Sequence, residues 1–449
     1  MKLPEKFVER IKNQLNIDSD AFLKSLETIS PISVRVNSSK LKDLFFKDLL
    51  KNKVEWCENS FYLTQRPSYT MDPLFHAGCY YPQEASSMYL WTVLNLIKPH
   101  LPEEPKILDL CAAPGGKSTL ISTFLDGKGL MIANEVIQSR AQILNDNLTK
   151  WGAMNQIVTN ADPKAIGKLD HFFDVIVIDA PCSGEGLFRK DQRAREEWSE
   201  ANVQLCADRQ KRIFNDVLPA LKPGGFVVYS TCTYNDLENK NQVDYLIENL
   251  GYQPFVINQD QNICYKQFFP HLVEGEGFFI ACLQKPNAEI ETIEQYVKIQ
   301  KNRSYYKLEE LVNKYIDCKD LYLIQLNDHR IWAFPEKYIK DYFLISKRLK
   351  TIAAGVESGT YDKDLFLPEH ALALSQGLKD SVQRIDLERD MCLKYLKKES
   401  LNIEDEDFKV GEWAVITYQN HALGWVKVLK NRLNNYLPKS YRILKDIVE

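Results

Sequence analysis

Two cysteines stand where a reaction could use them. Cys182 closes Asp179-Ala-Pro-Cys182 after the apolar run Val175 to Ile178, and Cys232 follows Ser230-Thr231 after the run Phe226 to Tyr229. One cysteine at a strand end is ordinarily a small buried hydrophobe. Two at adjacent strand ends, beside a loop built to hold a ligand, suit covalent chemistry. That loop is Ile107-Leu-Asp-Leu-Cys-Ala-Ala-Pro-Gly-Gly-Lys-Ser-Thr119, which leaves a strand, crosses a turn of small residues and enters a helix.

In an open α/β sheet, ligands sit at the carboxyl ends of strands, and small residues let the backbone approach them. A phosphate loop needs glycine five residues before Gly116, where Cys111 stands, and G-x-G-x-x-G is also absent. An acidic-then-small loop without those glycines is typical of S-adenosylmethionine sites. Glu135 ends the next apolar run, where a carboxylate accepts both ribose hydroxyl protons, and Asp162 follows the third, near an adenine edge. Either acid alone reads as a solvated loop residue; together, at successive strand ends, they point to a nucleoside.

A methyl donor gives the thiols a purpose. C5 of cytosine is a poor nucleophile; a thiolate adding to C6 makes C5 enamine-like and able to attack the sulfonium methyl. A base must then remove the C5 proton and the enzyme must be expelled, which a second ionisable group assists. One cysteine attacks and the other helps release, with Asp179 placed to hold or protonate N3. Methylases of exocyclic amines carry Asn or Asp followed by Pro-Pro-Tyr here, so Asp-Ala-Pro-Cys weakens that alternative.

These residues have a family likeness. Tyr80-Tyr-Pro-Gln-Glu-Ala-Ser-Ser87, Cys111-Ala-Ala-Pro-Gly-Gly-Lys117, Asp179-Ala-Pro-Cys-Ser-Gly-Glu-Gly186 and Ser230-Thr-Cys-Thr-Tyr234 resemble the Nop/Sun family of RNA cytosine-C5 methyltransferases, within it the RsmF-like ribosomal RNA branch. The likeness is strongest from about 78 to 285. It implies a Rossmann-like, mostly parallel seven-stranded core and S-adenosylmethionine-dependent formation of 5-methylcytidine in 16S ribosomal RNA of the small subunit. Transfer RNA, or a non-catalytic role in ribosome assembly, are the alternatives. Carried over by motif, Cys232 is the nucleophile, Cys182 assists release, and Asp179 contacts the base near the donor. Cys111, Ala112, Ala113, Pro114, Gly115, Gly116, Lys117, Glu135 and Asp162 would bind S-adenosylmethionine. A Pro-Cys thiol attacks in DNA cytosine methylases, so residue chemistry alone nominates Cys182; the resemblance nominates Cys232.

The elements that position these groups follow from patterning. From Lys106 to Cys282, short apolar runs alternate with helix-length spacers, which predicts a doubly wound α/β domain with a parallel sheet buried on both faces. Lys222-Pro-Gly-Gly225 is expected to stop a helix over 201–221. Upstream, Phe7, Ile11 and Leu15 predict a helix over 3–15, and Ile32, Val34 and Val36 a strand. Helices are expected at 290–300 and 308–316 and a strand at 321–326. The tail predicts strands at 413–418 and 423–429. The expected division is 1–95 for an RNA-binding, methyltransferase-associated domain, 96–286 for the catalytic domain, 287–400 for an accessory domain and connector, and 401–449 for a PUA-like module.

The 449 residues are 45% hydrophobic and 26% charged, an ordinary globular composition with no membrane-length apolar run. The ten cysteines form no Cys-x-x-Cys pair or Cys/His cluster, so reduced thiols, no metal and a cytoplasmic location are expected. A net charge of -4 announces no polyanion partner, but 408–445 holds seven Lys or Arg against Glu412 alone, after the acidic run 404–407. RNA contacts are expected from Arg35, from Arg189, Lys190, Arg193 and Arg195, and from Lys427, Lys430, Arg432, Lys439 and Arg442 with Trp425, Tyr436 and Tyr441.

Overall fold

Strand pairing in a computed structural model carries the expected Rossmann-like order. The structure describes residues 2–14, 18–41, 48–289, 301–363, 365–402 and 408–444. The expected helix at 290–300, Leu15 and the acidic run 404–407 lie outside them. The central strands are β1 (Lys106–Asp109), β2 (Leu130–Asn134), β3 (Gln156–Thr159), β4 (Phe173–Asp179), β5 (Leu221–Thr231), β6 (Tyr265–Phe268) and β7 (Phe278–Gln284). β1 to β5 are parallel in the order β3-β2-β1-β4-β5; β7 joins β5 antiparallel, and β6 pairs β7. The sheet leaves β1 in both directions, so the carboxyl ends of β1 and β4 open on a crevice at this reversal of order.

Helices α1 (Gly116–Leu125), α2 (Gln138–Trp151) and α3 (Glu200–Val217) cover the faces. Continuous apolar runs make this possible: all of β2 and the first six residues of β4 are buried. α3 starts on Ser199, whose hydroxyl accepts from Asn202 N at 3.1 Å. It ends four residues earlier than patterning suggests, and Lys222 to Gly225 run on as part of β5. Leu221 pairs there with Phe173 across a bulge, so sheet pairing overrides the turn signal of Pro-Gly-Gly.

Two segments from between the expected boundaries at 286 and 400 pair with neighbouring sheets. β8 (Thr351–Ala354) adds to the central sheet, antiparallel to β3. Arg384–Asp386 joins the C-terminal five-stranded sheet by pairing with residues 415–417. Neither segment is long or apolar enough to show in the sequence. A hairpin of Trp413–Tyr418 and His421–Val428 centres that sheet, with Gln419 and Asn420 at φ +50 and +64 in its tight turn. The sheet shares a core with the N-terminal one, Val34, Phe61 and Leu74 packing in one cluster with Leu393, Leu423 and Val426.

The N-terminal sheet is antiparallel, ordered 50–53, 60–63, 32–36, 80–82. Its strand Ile32–Val36 buries both faces, and this corrects the reading of Arg35 as an RNA contact. Arg35 is 2% exposed. It donates to Gln83 Oε1 at 3.0 Å, Gly116 O at 3.2 Å and Thr119 Oγ1 at 2.5 Å, and stacks 4.7 Å from the Trp151 ring. Burial lowers its pKa to about 10. It therefore bolts the N-terminal sheet to the start of α1 through neutral acceptors. Arg35→Ala leaves Gln83 Oε1 unpaired and a hole beside Trp151, and the urea midpoint is expected to fall by the equivalent of about 3 kcal/mol. An unchanged midpoint would contradict this role.

Candidate functional site

The register of two parallel strands sets the thiols side by side. Asp179 of β4 is opposite Ser230 of β5, and each chain then turns over the carboxyl edge of the sheet. Cys182 follows Asp179 by three residues and Cys232 follows Ser230 by two, and their Sγ atoms lie 3.2 Å apart. The turns cannot spread. Gly186 N donates to Cys232 O at 2.8 Å, and a Cβ at Gly186 would stand 2.6 Å from Gly277 O and 2.9 Å from Cys232 O. Both Cys182 and Cys232 are partly buried. The hydrogen bond to Cys232 pushes the Cys182 thiol well above its usual range, and burial pushes it the same way.

Asp179 is held from two sides. Ser230 Oγ donates to its Oδ1 at 2.8 Å, and Lys117 Nζ lies 2.8 Å from its Oδ2. Burial alone would lower Lys117; the Asp179 carboxylate outweighs it and holds the ammonium above its ordinary range. Lys117 reaches this point from the first turn of α1, with the Phe278 ring 5.0 Å away.

The loop after β1 forms one wall of a cavity of about 210 Å3, lined by Cys111, Ala112, Ala113, Pro114, Gly116, Lys117 and Asp179. Gly115 is not on that wall. It takes φ +117, the left-handed conformation that starts α1, where a side chain would be strained. The opposite wall comes from the N-terminal domain: Tyr81, Pro82, Gln83, Glu84 and Ser87. Arg35 fixes Gln83, and Glu84 accepts from the backbone N of Ser86, Ser87 and Glu276, each at 2.8 Å.

Glu135 is buried at the end of β2, accepting from Ile137 N at 3.0 Å with Arg140 at 3.3 Å. Val136 and Ile137 beside it are 56% and 49% exposed, an apolar pair open to solvent. Asp162 stands apart: its Oδ1 caps the short helix Pro163–Ile166 through Lys164 N at 2.9 Å. Asp109, which ends β1, enters the sequence reading only as the acid before the small-residue loop, with no role of its own. It is fully buried, Ser118 Oγ donates to its Oδ2 at 2.6 Å, and its Oδ1 has no partner among the described residues. Its position before the small-residue loop was the available signal.

Several expected RNA contacts have internal duties. Arg189 bonds Thr28 and Gly275 O, Arg195 bonds Phe188 O and Leu26 O, and Trp425 is buried with its indole N–H on Glu369 O. Tyr441 donates to Asp146. Lys430, Arg432, Lys439 and Arg442 are exposed, with Tyr436 beside Trp413. Among the described residues, no group of three His, Cys, Asp or Glu could hold a metal ion and no helix could cross a membrane.

Comparison with known proteins places this geometry. Residues 95–284 match the family described as 16S rRNA methyltransferase RsmB/F, residues 3–85 the N-terminal domain of 16S rRNA methyltransferase RsmF, and residues 382–443 the methyltransferase RsmF PUA domain. The ribosomal RNA small subunit methyltransferase F of Shewanella piezotolerans is 30% identical, over 98% of this chain and 97% of its own. This chain belongs to the RsmF family. The corresponding protein of Shewanella putrefaciens is 31% identical over 100% of this chain and 98% of its own. A methyltransferase homolog from Pyrococcus horikoshii is 28% identical with a TM-score of 0.53, covering 63% of this chain and 95% of that one. NSun6 from the same organism, solved with SFG, shares the fold at 21% identity and a TM-score of 0.54, over 64% of this chain and 99% of that one. The RsmF-family PUA module starts at 382, which agrees with the pairing of 384–386 into the C-terminal sheet.

Proposed function

We propose that this chain transfers a methyl group from S-adenosylmethionine to C5 of cytosine in 16S ribosomal RNA, through a covalent adduct at Cys232. Its partner is the small ribosomal subunit, met in the cytoplasm. The observation that carries the reading is the thiol pair, 3.2 Å apart, next to the Lys117–Asp179 ion pair. Membership of the RsmF family supports the choice of RNA.

The residues present fit the donor. The loop 111–117 offers backbone and small side chains, Glu135 a buried carboxylate for the ribose hydroxyls, and Asp162 an exposed one for the adenine edge. The unpartnered Asp109 Oδ1 offers an acceptor to a cationic group. S-adenosylmethionine, when bound, supplies an electrophilic methyl group on a sulfonium.

The chain's own groups do the rest. The contact with Cys232 and burial hold Cys182 as a thiol, which leaves Cys232 as the attacking sulfur of the pair. The Cys232 thiolate bonds to C6, and the ring electrons move toward N3 and C5. Asp179 passes a proton from the Lys117 ammonium to N3 as charge builds there, and the proton returns by the same route when Cys232 leaves. C5 takes the methyl group. Cys182, having released its own proton to solvent, takes the C5 proton; the freed pair restores C5=C6 and expels Cys232 as thiolate. The exposed Lys430, Arg432, Lys439 and Arg442 hold RNA phosphates.

Labelled S-adenosylmethionine incubated with small subunits, protein-free 16S RNA or bulk transfer RNA tests the choice of RNA. Label in either 16S substrate is expected; label in transfer RNA alone would overturn it. Burial pushes Asp109 up to about 7, so its carboxylate ionises as pH rises through neutrality. Attraction for a cationic donor rises with it, and S-adenosylmethionine affinity is expected to increase up to about tenfold from pH 6 to 8 by calorimetry. Asp109→Asn should flatten that dependence; an equally steep profile in the variant would remove Asp109 from donor binding.

A further inference from the structure

Glu238 has no part in the scheme above, yet its carboxylate is fully buried between the two thiol loops. Its Oε2 accepts from Ser183 N at 2.9 Å and Gln210 Nε2 at 3.0 Å, and its Oε1 from Asn235 Nδ2 at 2.7 Å. Gln210 also donates to Pro181 O at 3.1 Å, and the Ser183 and Thr233 hydroxyls meet at 3.0 Å. One charged group thus joins the turn that carries Cys182 to the turn that carries Cys232. All three nitrogens are donors, so both oxygens accept, an arrangement that favours the ionised carboxylate against the burial that raises it. Neighbouring Glu185 is paired with Arg10 at 2.7 Å, whereas Glu238 forms no ion pair among the described residues.

We propose that Glu238 is a positioning residue whose carboxylate sets the two thiols in register and whose charge sets the pH at which Cys182 can take the C5 proton. The second half rests on the release role given to Cys182. A buried anion beside a thiol disfavours its thiolate and strengthens it as a base once formed. The titratable groups facing Cys182 are Cys232 of the turn after β5, Tyr229 of β5 and Glu238 itself, with Cys206 of α3 near Glu238. After Cys232 and burial, Glu238 is the next influence pushing Cys182 upward.

The test isolates Cys182 in full-length Cys232→Ser protein and follows its alkylation by iodoacetamide, peptide by peptide, over roughly pH 7 to 11. Glu238→Gln removes the charge, and Gln210→Lys pairs it with a cation. Each is expected to lower the alkylation midpoint by about one pH unit, while Glu238→Asp leaves it in place. A scaffold residue would slow turnover without moving this midpoint. Midpoints unmoved in both neutralising variants would overturn the proposal. The release role is judged apart from this, by whether Cys182→Ala accumulates an RNA adduct. The alkylation midpoint reports on Glu238 whichever way that result falls.

Discussion

Cys232→Ala is expected to cut turnover by at least about 10³-fold, because the sulfur that bonds C6 is lost and the remaining thiol, Cys182, is held protonated. The loss should fall on chemistry. Cys232 is not on the wall of the donor cavity, so S-adenosylmethionine affinity should stay within about twofold of the parent. The substitution removes one sulfur from a partly buried position, so folding should be little affected. Initial rates with small subunits or 16S RNA, with calorimetry of the donor, separate these terms. Activity within tenfold of the parent would remove Cys232 from the nucleophile's place.

Cys182→Ala is expected to stall the reaction after methyl transfer. The covalent bond to C6 can still form, but the base that takes the C5 proton is gone. A protein–RNA adduct should build up to nearly one per enzyme and appear as a slow band on a denaturing gel, while turnover falls by about 10²-fold or more. Adding Cys232→Ala to the same chain should abolish the band, which identifies the sulfur that holds the RNA. Absence of any band in Cys182→Ala would mean that another group takes the proton.

Much of this was legible in the sequence because the decisive signals are local. The strand–turn–helix at 107–119 fixes its own geometry through small residues, and the strand ends at Asp179 and Ser230 follow from continuous apolar runs. Arg35 was misread because alternation with Val34 and Val36 puts it on a face that a lone sheet would expose; only packing against α1 buries it. Trp425 was misread for a like reason, and Arg189 because its partners, Thr28 and Gly275, are distant in sequence. β8 left no trace, since a four-residue edge strand takes its conformation from β3. Glu238 was invisible because its meaning depends on three groups from three segments meeting around one carboxylate. The division at 400 placed a boundary inside a sheet whose first strand is only three residues long.

The proposed reaction requires Cys232 to become bonded to a cytosine whose C5 is methylated. RNA substrate carrying 5-fluorocytidine tests it directly, because fluorine at C5 cannot leave as a proton does and the adduct cannot be released. Incubated with the protein and S-adenosylmethionine, it should yield a covalent complex that depends on the donor, and nuclease and protease digestion should leave a methylated nucleotide on the peptide containing Cys232. A complex mapped to Cys182, or no complex despite donor binding, would rule out Cys232 as the nucleophile.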